Sequence, residues 1–518
     1  MKAGASFVRR AGPVTEPVFA GNLHAMDGEA SEIDVLIVGA GISGVSMAAH
    51  LKRLCPERSF EIAEQRANLG GTWDLFRYPG VRSDSDMHTL GFRFAPWADD
   101  RSIAGGEAIR TYLERVVDTF GIRPHLRCGT NVVSADWRSD RARWRITLED
   151  ANGYREVAAR WLHLASGYYD YDEPHEAHLP GLERFEGAVV HPQFWPEGFD
   201  YAGKRVVVIG SGATAVTLVP AMAAKATHVT MLQRTPTWMI SHPARDPWAR
   251  RIRRWLGEER GNRLIRFINV RIAHTFFHRA RRKPANVAAH LRRRLQRELG
   301  TRYDPALFEP PYGPWEQRLC LVPDGDFIAA VNEGRASVVT GTIAGFELDG
   351  VRLASGERLA ADIVVTATGL KLLLGGKIAA SLDGKPIDWR AHWSYRGCML
   401  SNLPNLSVVF GYLNNSWTLR ADNTSDYVCR VLQHMAQTRA DVAVPQLPDN
   451  HGLEEADIVL FSSGYLQRAR PLMPKSAPAL PWRLNMNYLE DCRDFRQRPV
   501  ADGVLRFARA VAEAPEFA

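Results

Sequence analysis

The chain of 518 residues has few cysteines and no long apolar run. Its six cysteines are scattered and include no C-x-x-C pair. That usage fits a reducing cytoplasm and excludes the redox-active dithiol of a disulfide reductase. Since no uncharged apolar run reaches about 18 residues, we expect no membrane-spanning helix.

Metal-ligand patterns and a secretory signal are also missing. Neither H-E-x-x-H nor a paired Cys/His cluster occurs, so we expect no metal site. The first residues lack a basic region followed by an apolar core, which argues against a signal peptide. We expect residues 1–32 to form a flexible N-terminal extension.

The excess of positive over negative charge is confined to one segment. The net charge is +7, but residues 243–300 hold 17 Arg and Lys against four Asp and Glu, a local charge of +13. The rest of the chain therefore carries about −6. Its helical patterns interleave arginines with apolar residues, namely Trp255, Leu264, Ile265, Phe267, Ile268 and Phe276. Two interpretations stay open: a solvated helical insertion packed on one face, and a surface that docks on anionic lipid. No recognition motif accompanies the charge, so we expect no nucleic-acid partner.

Two glycine-rich turns each follow an apolar run and precede a helical pattern. The first contains Gly39, Gly41, Ser43 and Gly44, and the second contains Gly210, Ser211, Gly212, Ala213, Thr214 and Ala215. A G-x-G-x-x-G motif in this strand-turn-helix context places a pyrophosphate at a helix N-terminus. Two such motifs predict two Rossmann-like dinucleotide-binding domains and two nucleotide cofactors.

The strand ends that follow the two turns differ in charge. Glu64 lies at the spacing where an acid accepts the ribose hydroxyls of FAD or NAD. The corresponding end of the second unit carries Arg234 and Thr235, which pair with a 2'-phosphate. The second site is therefore predicted to bind NADPH.

Two longer patterns carry a family resemblance. F-x-G-x-x-x-H-x-x-x-W-P is filled by Phe185, Gly187, His191, Trp195 and Pro196. G-G-x-W-x-x-x-x-[F/Y]-P-G-x-x-x-D is filled by Gly70, Gly71, Trp73, Tyr78, Pro79, Gly80 and Asp84. With segments such as WEQRLCLVPDGD, the chain from about Ile33 to Phe507 resembles FAD-containing Baeyer-Villiger monooxygenases, in particular the ethionamide-activating subgroup.

The resemblance implies an α/β fold in which the NADPH domain is inserted into the FAD domain. The expected FAD domain covers 33–175 and 346–518, and the expected NADPH domain covers 176–345 and includes the basic helical insertion 243–300. Further cofactor contacts are expected from Thr72, Trp73, Arg82, Ser83, Asp84 and Val132. The implied activity uses a C4a-peroxyflavin to insert one oxygen atom of O2 into ketones and to oxidise sulfur compounds. Cysteine usage makes the cytoplasm the expected location, and peripheral membrane contact through 243–300 stays open as one of the two interpretations of the basic segment.

The resemblance also implies an arginine near the flavin, held charged and oriented by Asp84. In the subgroup this arginine is expected after D-x-F, where this chain has Asn332, with Arg335 three residues on. Arg82 is another source of positive charge. His191 is expected to couple the two nucleotide domains without transferring a proton. Two alternatives stay open: an N- or S-oxygenating flavin monooxygenase, and a protein that binds both cofactors but has lost oxygenation.

Overall fold

The computed structural model describes residues 31–457 and 461–510. Of the predicted extension 1–32, residues 1–30 lie outside the described residues. Ser31 and Glu32 begin the first strand, Ser31–Val38.

The first sheet combines a parallel core with an antiparallel meander. Ser31–Val38 lies between Phe60–Glu64 and Gly153–Leu164 and is parallel to both. The meander runs from Asn131–Arg138 through Arg143–Asp150 into Gly153–Leu164. The remaining strands of this sheet are Leu126–Cys128, Ala379–Leu382, Lys385–Pro386 and Leu406–Val408. The parallel strands are rich in Val, Ile and Leu because helices and loops cover both of their faces.

The second sheet has five strands, all parallel. Its spatial order is Ala336–Thr340, His228–Gln233, Arg205–Ile209, Ile363–Thr366 and Ala188–Val190. Two parallel α/β units confirm the predicted fold class.

One strand of the second sheet, Ile363–Thr366, follows residue 346, where the FAD domain is expected to resume. Ile363–Thr366, within the sequence ADIVVTATG, pairs in parallel with both Arg205–Ile209 and Ala188–Val190. It is the fourth of the five strands, and the chain next pairs with the first sheet at Ala379–Leu382.

Helices pack against both sheets. The longer ones are Ile42–Leu54, Gly106–Thr119, Ala213–Ala223, Pro247–Arg282, Pro284–Leu299, Trp417–Thr438 and Tyr488–Gln497. The shorter ones are Thr72–Leu75, Met87–Leu90, Pro305–Phe308, Asp326–Asn332 and Gly464–Ala469. Small sheets are formed by Met239–His242 with Cys320–Pro323, by Ile343–Glu347 with Gly350–Leu353 and Arg358–Ala360, by Ser394–Tyr395 with Met399–Leu400, and by Val442–Pro445 with Leu505–Ala508.

The basic segment 243–300 is helical over most of its length. Gly257 has φ 74° and ψ 167°, so Pro247–Arg282 is two helices joined at a sharp turn. A Cβ on Gly261 would lie 2.9 Å from the Cα of Arg253, so glycine permits the two helices to meet closely. Among the described residues, no helix is long and apolar enough to cross a membrane.

Candidate active site

The first glycine turn is shaped by close backbone contacts. Gly39 has φ +99°, and a Cβ on Gly44 would lie 1.9 Å from the carbonyl oxygen of Gly39. The helix Ile42–Leu54 begins after Gly41 without a side-chain cap. Its first amides therefore remain available to an anion.

Glu64 stabilises this turn. Its two carboxylate oxygens accept hydrogen bonds from the amides of Ala40, at 2.7 Å, and Arg66, at 2.9 Å. Burial raises the pKa of Glu64. Each oxygen accepts one hydrogen bond and can accept another, and Glu64 lines the cavity, so its carboxylate can also accept from ribose hydroxyls.

A cavity of about 420 Å³ extends from this turn to the second unit. Eleven of the predicted cofactor residues line it: Gly39, Gly41, Ser43, Glu64, Thr72, Trp73, Arg82, Asp84, Val132, Ala213 and Thr214. Gly44, Ser83, Gly210, Ser211, Gly212, Ala215, Arg234 and Thr235 do not line it. Ser83 is instead buried and accepts a hydrogen bond from the amide of Ala104 at 3.2 Å.

The loop that carries Tyr78 to Asp84 reaches the second unit. A Cβ on Gly80 would lie 2.7 Å from the Cβ of Ala221 in the helix Ala213–Ala223. Arg82 pairs with Asp326 of the second unit at 2.5 Å. The charge of Arg82 is therefore engaged in a contact between the two units. The pattern G-G-x-W-x-x-x-x-[F/Y]-P-G-x-x-x-D thus places Asp84 at the junction of the two units.

Arg318 is the cation that the structure places beside Asp84. Its guanidinium lies 3.0 Å from the Asp84 carboxylate, and the two side chains are 30% and 37% exposed. Both residues line the cavity. Burial opposes the charge on Arg318, but the neighbouring groups, Asp84 foremost, together outweigh it and hold the pKa of Arg318 above its ordinary range.

Aromatic side chains form the wall next to this pair. The hydroxyls of Tyr168 and Tyr169 lie 2.9 Å apart, and the ring of Tyr168 stacks on Trp417 at 4.9 Å. The indole nitrogen of Trp417 donates to Ser43 Oγ at 2.8 Å. The wall is therefore connected to the first glycine turn.

The second glycine turn repeats the construction of the first. Gly210 has φ +136°, and a Cβ there would lie 2.3 Å from the carbonyl oxygen of Ala367, as one on Gly39 would lie 2.8 Å from that of Ala165. Gly212, by contrast, faces open space and precedes a helix without a side-chain cap. Ser211 Oγ donates to the carbonyl of Thr235 at 2.9 Å, next to the exposed Arg234. This space suits a pyrophosphate with a cation nearby.

His191 lies at the segments that connect the two sheets. Its Nδ1 accepts from the amide of Gln193 at 3.1 Å, and the Gln193 side chain donates to the carbonyl of Asp170 at 2.7 Å. Asp170 in turn pairs with Lys371 at 3.2 Å and Lys377 at 3.3 Å. His191 Nε2 is buried without a hydrogen-bond partner in the described part of the chain. The histidine does not line the cavity.

Asn332 and Arg335 also lie away from the cavity. The Asn332 amide donates to the carbonyl of Glu298 at 2.9 Å. Arg335 pairs with Glu333 at 2.5 Å. Arg318 was not predicted as a site residue, although it lies in the segment WEQRLCLVPDGD. The sequence shows an arginine just before the apolar run Cys320–Pro323. It does not reveal which residue pairs with that arginine in the fold.

The residues present fit a dinucleotide at each turn. Each first glycine has a crowded backbone position, and each following helix begins with uncapped amides. The acid Glu64 lies at the first turn and the base Arg234 at the second, as the different ribose substituents of FAD and NADPH require.

Comparison with known proteins shows the class to which this fold and site belong. Residues 32–280 match the family described as FMO-like, flavin-binding monooxygenase-like. The chain is 46% identical over 482 residues to the FAD-containing monooxygenase EthA of Mycobacterium tuberculosis, covering 93% of this chain and 98% of that protein. It is 44% identical to the EthA of Mycolicibacterium smegmatis, covering 92% and 97%. The chain belongs to the FAD-containing monooxygenase family, which confirms the predicted family and the flavin-dependent enzyme class.

Solved structures share the fold at lower identity. A steroid monooxygenase bound to NADP has a TM-score of 0.72 and 22% identity, covering 94% of this chain and 99% of that one. Cyclohexanone monooxygenase from Rhodococcus sp. Phi1 bound to NADP+ has a TM-score of 0.65 and 22% identity, covering 80% and 87%.

Proposed function

We propose that the protein is an NADPH- and FAD-dependent monooxygenase that inserts one oxygen atom of O2 into ketones, giving esters or lactones, and oxidises sulfur compounds. The observation that carries the proposal is the Asp84–Arg318 pair in the cavity that touches both nucleotide units. Reduced FAD supplies the activation of O2, and NADPH supplies the hydride that reduces FAD.

Arg318 is the residue to which we assign stabilisation of negative charge during oxygen transfer. A guanidinium keeps its charge at any physiological pH and presents several N–H donors in fixed geometry. Asp84 holds this group in one orientation and favours its charged form. Asp84 therefore acts through Arg318 and does not itself take a proton.

The cofactor assignments follow the two turns. Gly39, Gly41, Ser43 and Gly44 would hold the FAD pyrophosphate, with Glu64 on the ribose, Thr72 and Trp73 beside the flavin, and Val132 beside the adenine. Gly210 to Ala215 would hold the NADPH pyrophosphate, with Arg234 and Thr235 on the 2'-phosphate. For His191 we propose a positioning role, because its contacts lead through Gln193 and Asp170 to the connections between the two units.

The ketone part of the proposal is supported by fold neighbours named as steroid and cyclohexanone monooxygenases, the latter also solved with cyclohexanone bound. The cytoplasmic location and the membrane contact of 243–300 remain proposals.

The test is the coupling between cofactor consumption and product. The FAD-loaded protein is given NADPH in air with phenylacetone, a long-chain ketone or a thioether, and NADPH consumed is compared with product formed. Ester formation nearly equal to NADPH consumption supports ketone oxygenation. Sulfoxide without ester assigns the protein to N- or S-oxygenation, and hydrogen peroxide alone shows that oxygenation has been lost.

A further inference from the structure

The turn within the basic helical segment is exposed and apolar at its tip. Trp255 is 83% exposed and Leu256 is 46% exposed, directly before Gly257, where the chain reverses. Trp248, about two helical turns before Trp255 in the same helix, is 63% exposed. Exposed apolar side chains of this size, close together on one surface, indicate a site that contacts another molecule.

The second helix carries exposed apolar side chains of its own. Leu264, Phe267, Ile268 and Ile272 recur at spacings of three and four residues, which places them along one face. All four are exposed, Phe267 to 56% and Ile272 to 60%. We name these residues together with Trp248, Trp255 and Leu256 the apolar face.

The apolar face is not the side by which the helices pack on the protein. That attachment uses other residues. Arg253 is buried and donates to the carbonyls of Trp97, Ala98 and Asp99 at 2.9 to 3.1 Å. Arg266 donates to the carbonyl of Gly91 at 2.5 Å, and Ile265 is buried. The helices therefore stay attached whether or not the apolar face is covered.

Arginines surround the apolar face. The exposed ones in the two helices are Arg250, Arg251, Arg254, Arg260, Arg263, Arg271, Arg279, Arg281 and Arg282, against the exposed acids Glu258 and Glu259. Arg251 lies 5.3 Å from the ring centre of Trp248, and Arg271 lies 5.1 Å from that of Phe267. Tryptophan and other apolar side chains interleaved with arginine match the interface of an anionic bilayer, where the apolar groups enter the acyl boundary and the guanidinium groups contact phosphate.

We propose that the apolar face docks the protein on an anionic lipid bilayer, with Trp255 and Leu256 entering first. Of the two sequence interpretations, packing on the protein accounts for Ile265 but leaves Trp255, Leu264, Phe267 and Ile268 exposed. Charge complementarity favours lipid over a second copy of the chain, since two such surfaces would bring arginines together.

Docking would bring the bilayer close to the cavity. Arg266 also contacts the carbonyls of His88 and Thr89, at 3.2 and 3.3 Å. Leu90, in the same short segment, lines the cavity. One short segment of chain therefore connects the docking helix to the wall of the cavity.

The experiment is co-sedimentation of the full-length, FAD-loaded protein with vesicles. One set of vesicles is phosphatidylcholine, and the other is an equimolar mixture of phosphatidylcholine and phosphatidylglycerol. The variant W255S/L256S replaces the two apolar side chains at the tip with small polar ones. The variant R251Q/R254Q/R271Q removes three positive charges from the two helices. The matched control is L348S/L472S, since Leu348 and Leu472 are 60% and 51% exposed elsewhere. Bound FAD and the thermal midpoint verify that each variant is folded.

We expect binding to the anionic vesicles, weakened by salt and by R251Q/R254Q/R271Q, with W255S/L256S reducing the partition by about tenfold or more. The control should bind like the parent protein. The proposal is overturned if the parent protein does not sediment with anionic vesicles, or if W255S/L256S binds equally well. It is also overturned if the apolar face is covered by a second copy, which would appear as a lipid-free oligomer of the parent protein that W255S/L256S dissociates. None of these outcomes depends on which substrate is oxidised.

Discussion

Arg318 and Asp84 lie 3.0 Å apart although they belong to different units of the fold. Asp84 ends the loop that leaves the first unit, and Arg318 precedes the strand Cys320–Pro323 beside the second sheet. Their pairing requires the two units to keep a fixed relation. Arg318 thus provides a guanidinium in the cavity, a role for which Asn332 and Arg335 are not needed.

Replacing Arg318 with glutamine should abolish most ketone oxygenation. Loss of a charged donor to a developing oxyanion costs about 2 to 4 kcal/mol, or about 30- to 900-fold in rate. The measurement is ester formed per NADPH consumed. Asn332→Ala is the control and should stay within about 0.5 kcal/mol, because Asn332 is an exposed residue away from the cavity. Equal losses in both variants would contradict the assignment to Arg318.

The substitution Gly44→Ala should prevent FAD binding. Its Cβ would lie 1.9 Å from the carbonyl oxygen of Gly39, so the turn must open. We expect protein purified with little flavin, measured by visible absorbance, and a lower thermal midpoint. A variant that retains full flavin content would show that the turn tolerates the added carbon.

Gly212→Ala should leave FAD binding unchanged and weaken NADPH binding. Nothing lies within 4 Å of a Cβ at Gly212, and its φ is −75°, so folding and FAD content should be unchanged. The added methyl group would occupy the space assigned to the NADPH pyrophosphate. We expect a raised KM for NADPH, and an unchanged KM would place the cofactor elsewhere.

Arg234→Ala should weaken NADPH binding and leave NADH binding unaltered. A charge-assisted hydrogen bond contributes about 1.5 to 3 kcal/mol, so KM for NADPH should rise about 10- to 100-fold. Steady-state flavin reduction with each cofactor measures the difference. If the KM values for NADPH and NADH rose equally, Arg234 would not bind the 2'-phosphate.

His191 should make the protein less stable in mild acid. Burial lowers the pKa of His191 from 6.5 to about 4, so between these values the unfolded chain binds a proton that the folded protein does not. The free energy of unfolding should therefore fall as pH drops from 6.5 to 4, by on the order of 3 kcal/mol from this group. His191→Gln should lack this part of the decline. His163, whose pKa burial lowers to about 3, contributes to both proteins, so only the difference between the two curves reports on His191.

Removal of Asp491 should destabilise the first unit. Arg420 and Asp491 pair at 3.0 Å with side chains 0% and 2% exposed. Asp491→Ala leaves a buried guanidinium without its counter-charge, which costs about 3 to 5 kcal/mol. Urea unfolding measures the loss. The control is Arg358→Ala, which breaks an exposed ion-pair cluster and should lower the free energy of unfolding far less, because water screens exposed ion pairs.

Short-range patterns in the chain were sufficient to predict both nucleotide turns. An apolar strand, a crowded glycine and a helix start are contiguous in sequence, and the structure has Gly39 and Gly210 at positive φ against the carbonyls of Ala165 and Ala367. The helices of 243–300 were predictable for the same reason, because a helix is specified by residues three and four apart.

The sequence by itself therefore determined the two α/β units, their glycine turns and the family to which the chain belongs. Only the tertiary structure decided that Arg318 is the partner of Asp84, that the strand Ile363–Thr366 belongs to the second sheet, and that Trp255 and Phe267 face outward. The physical reason is that these relations join residues distant in sequence. They depend on which surfaces meet when the units pack, and no local periodicity records that choice.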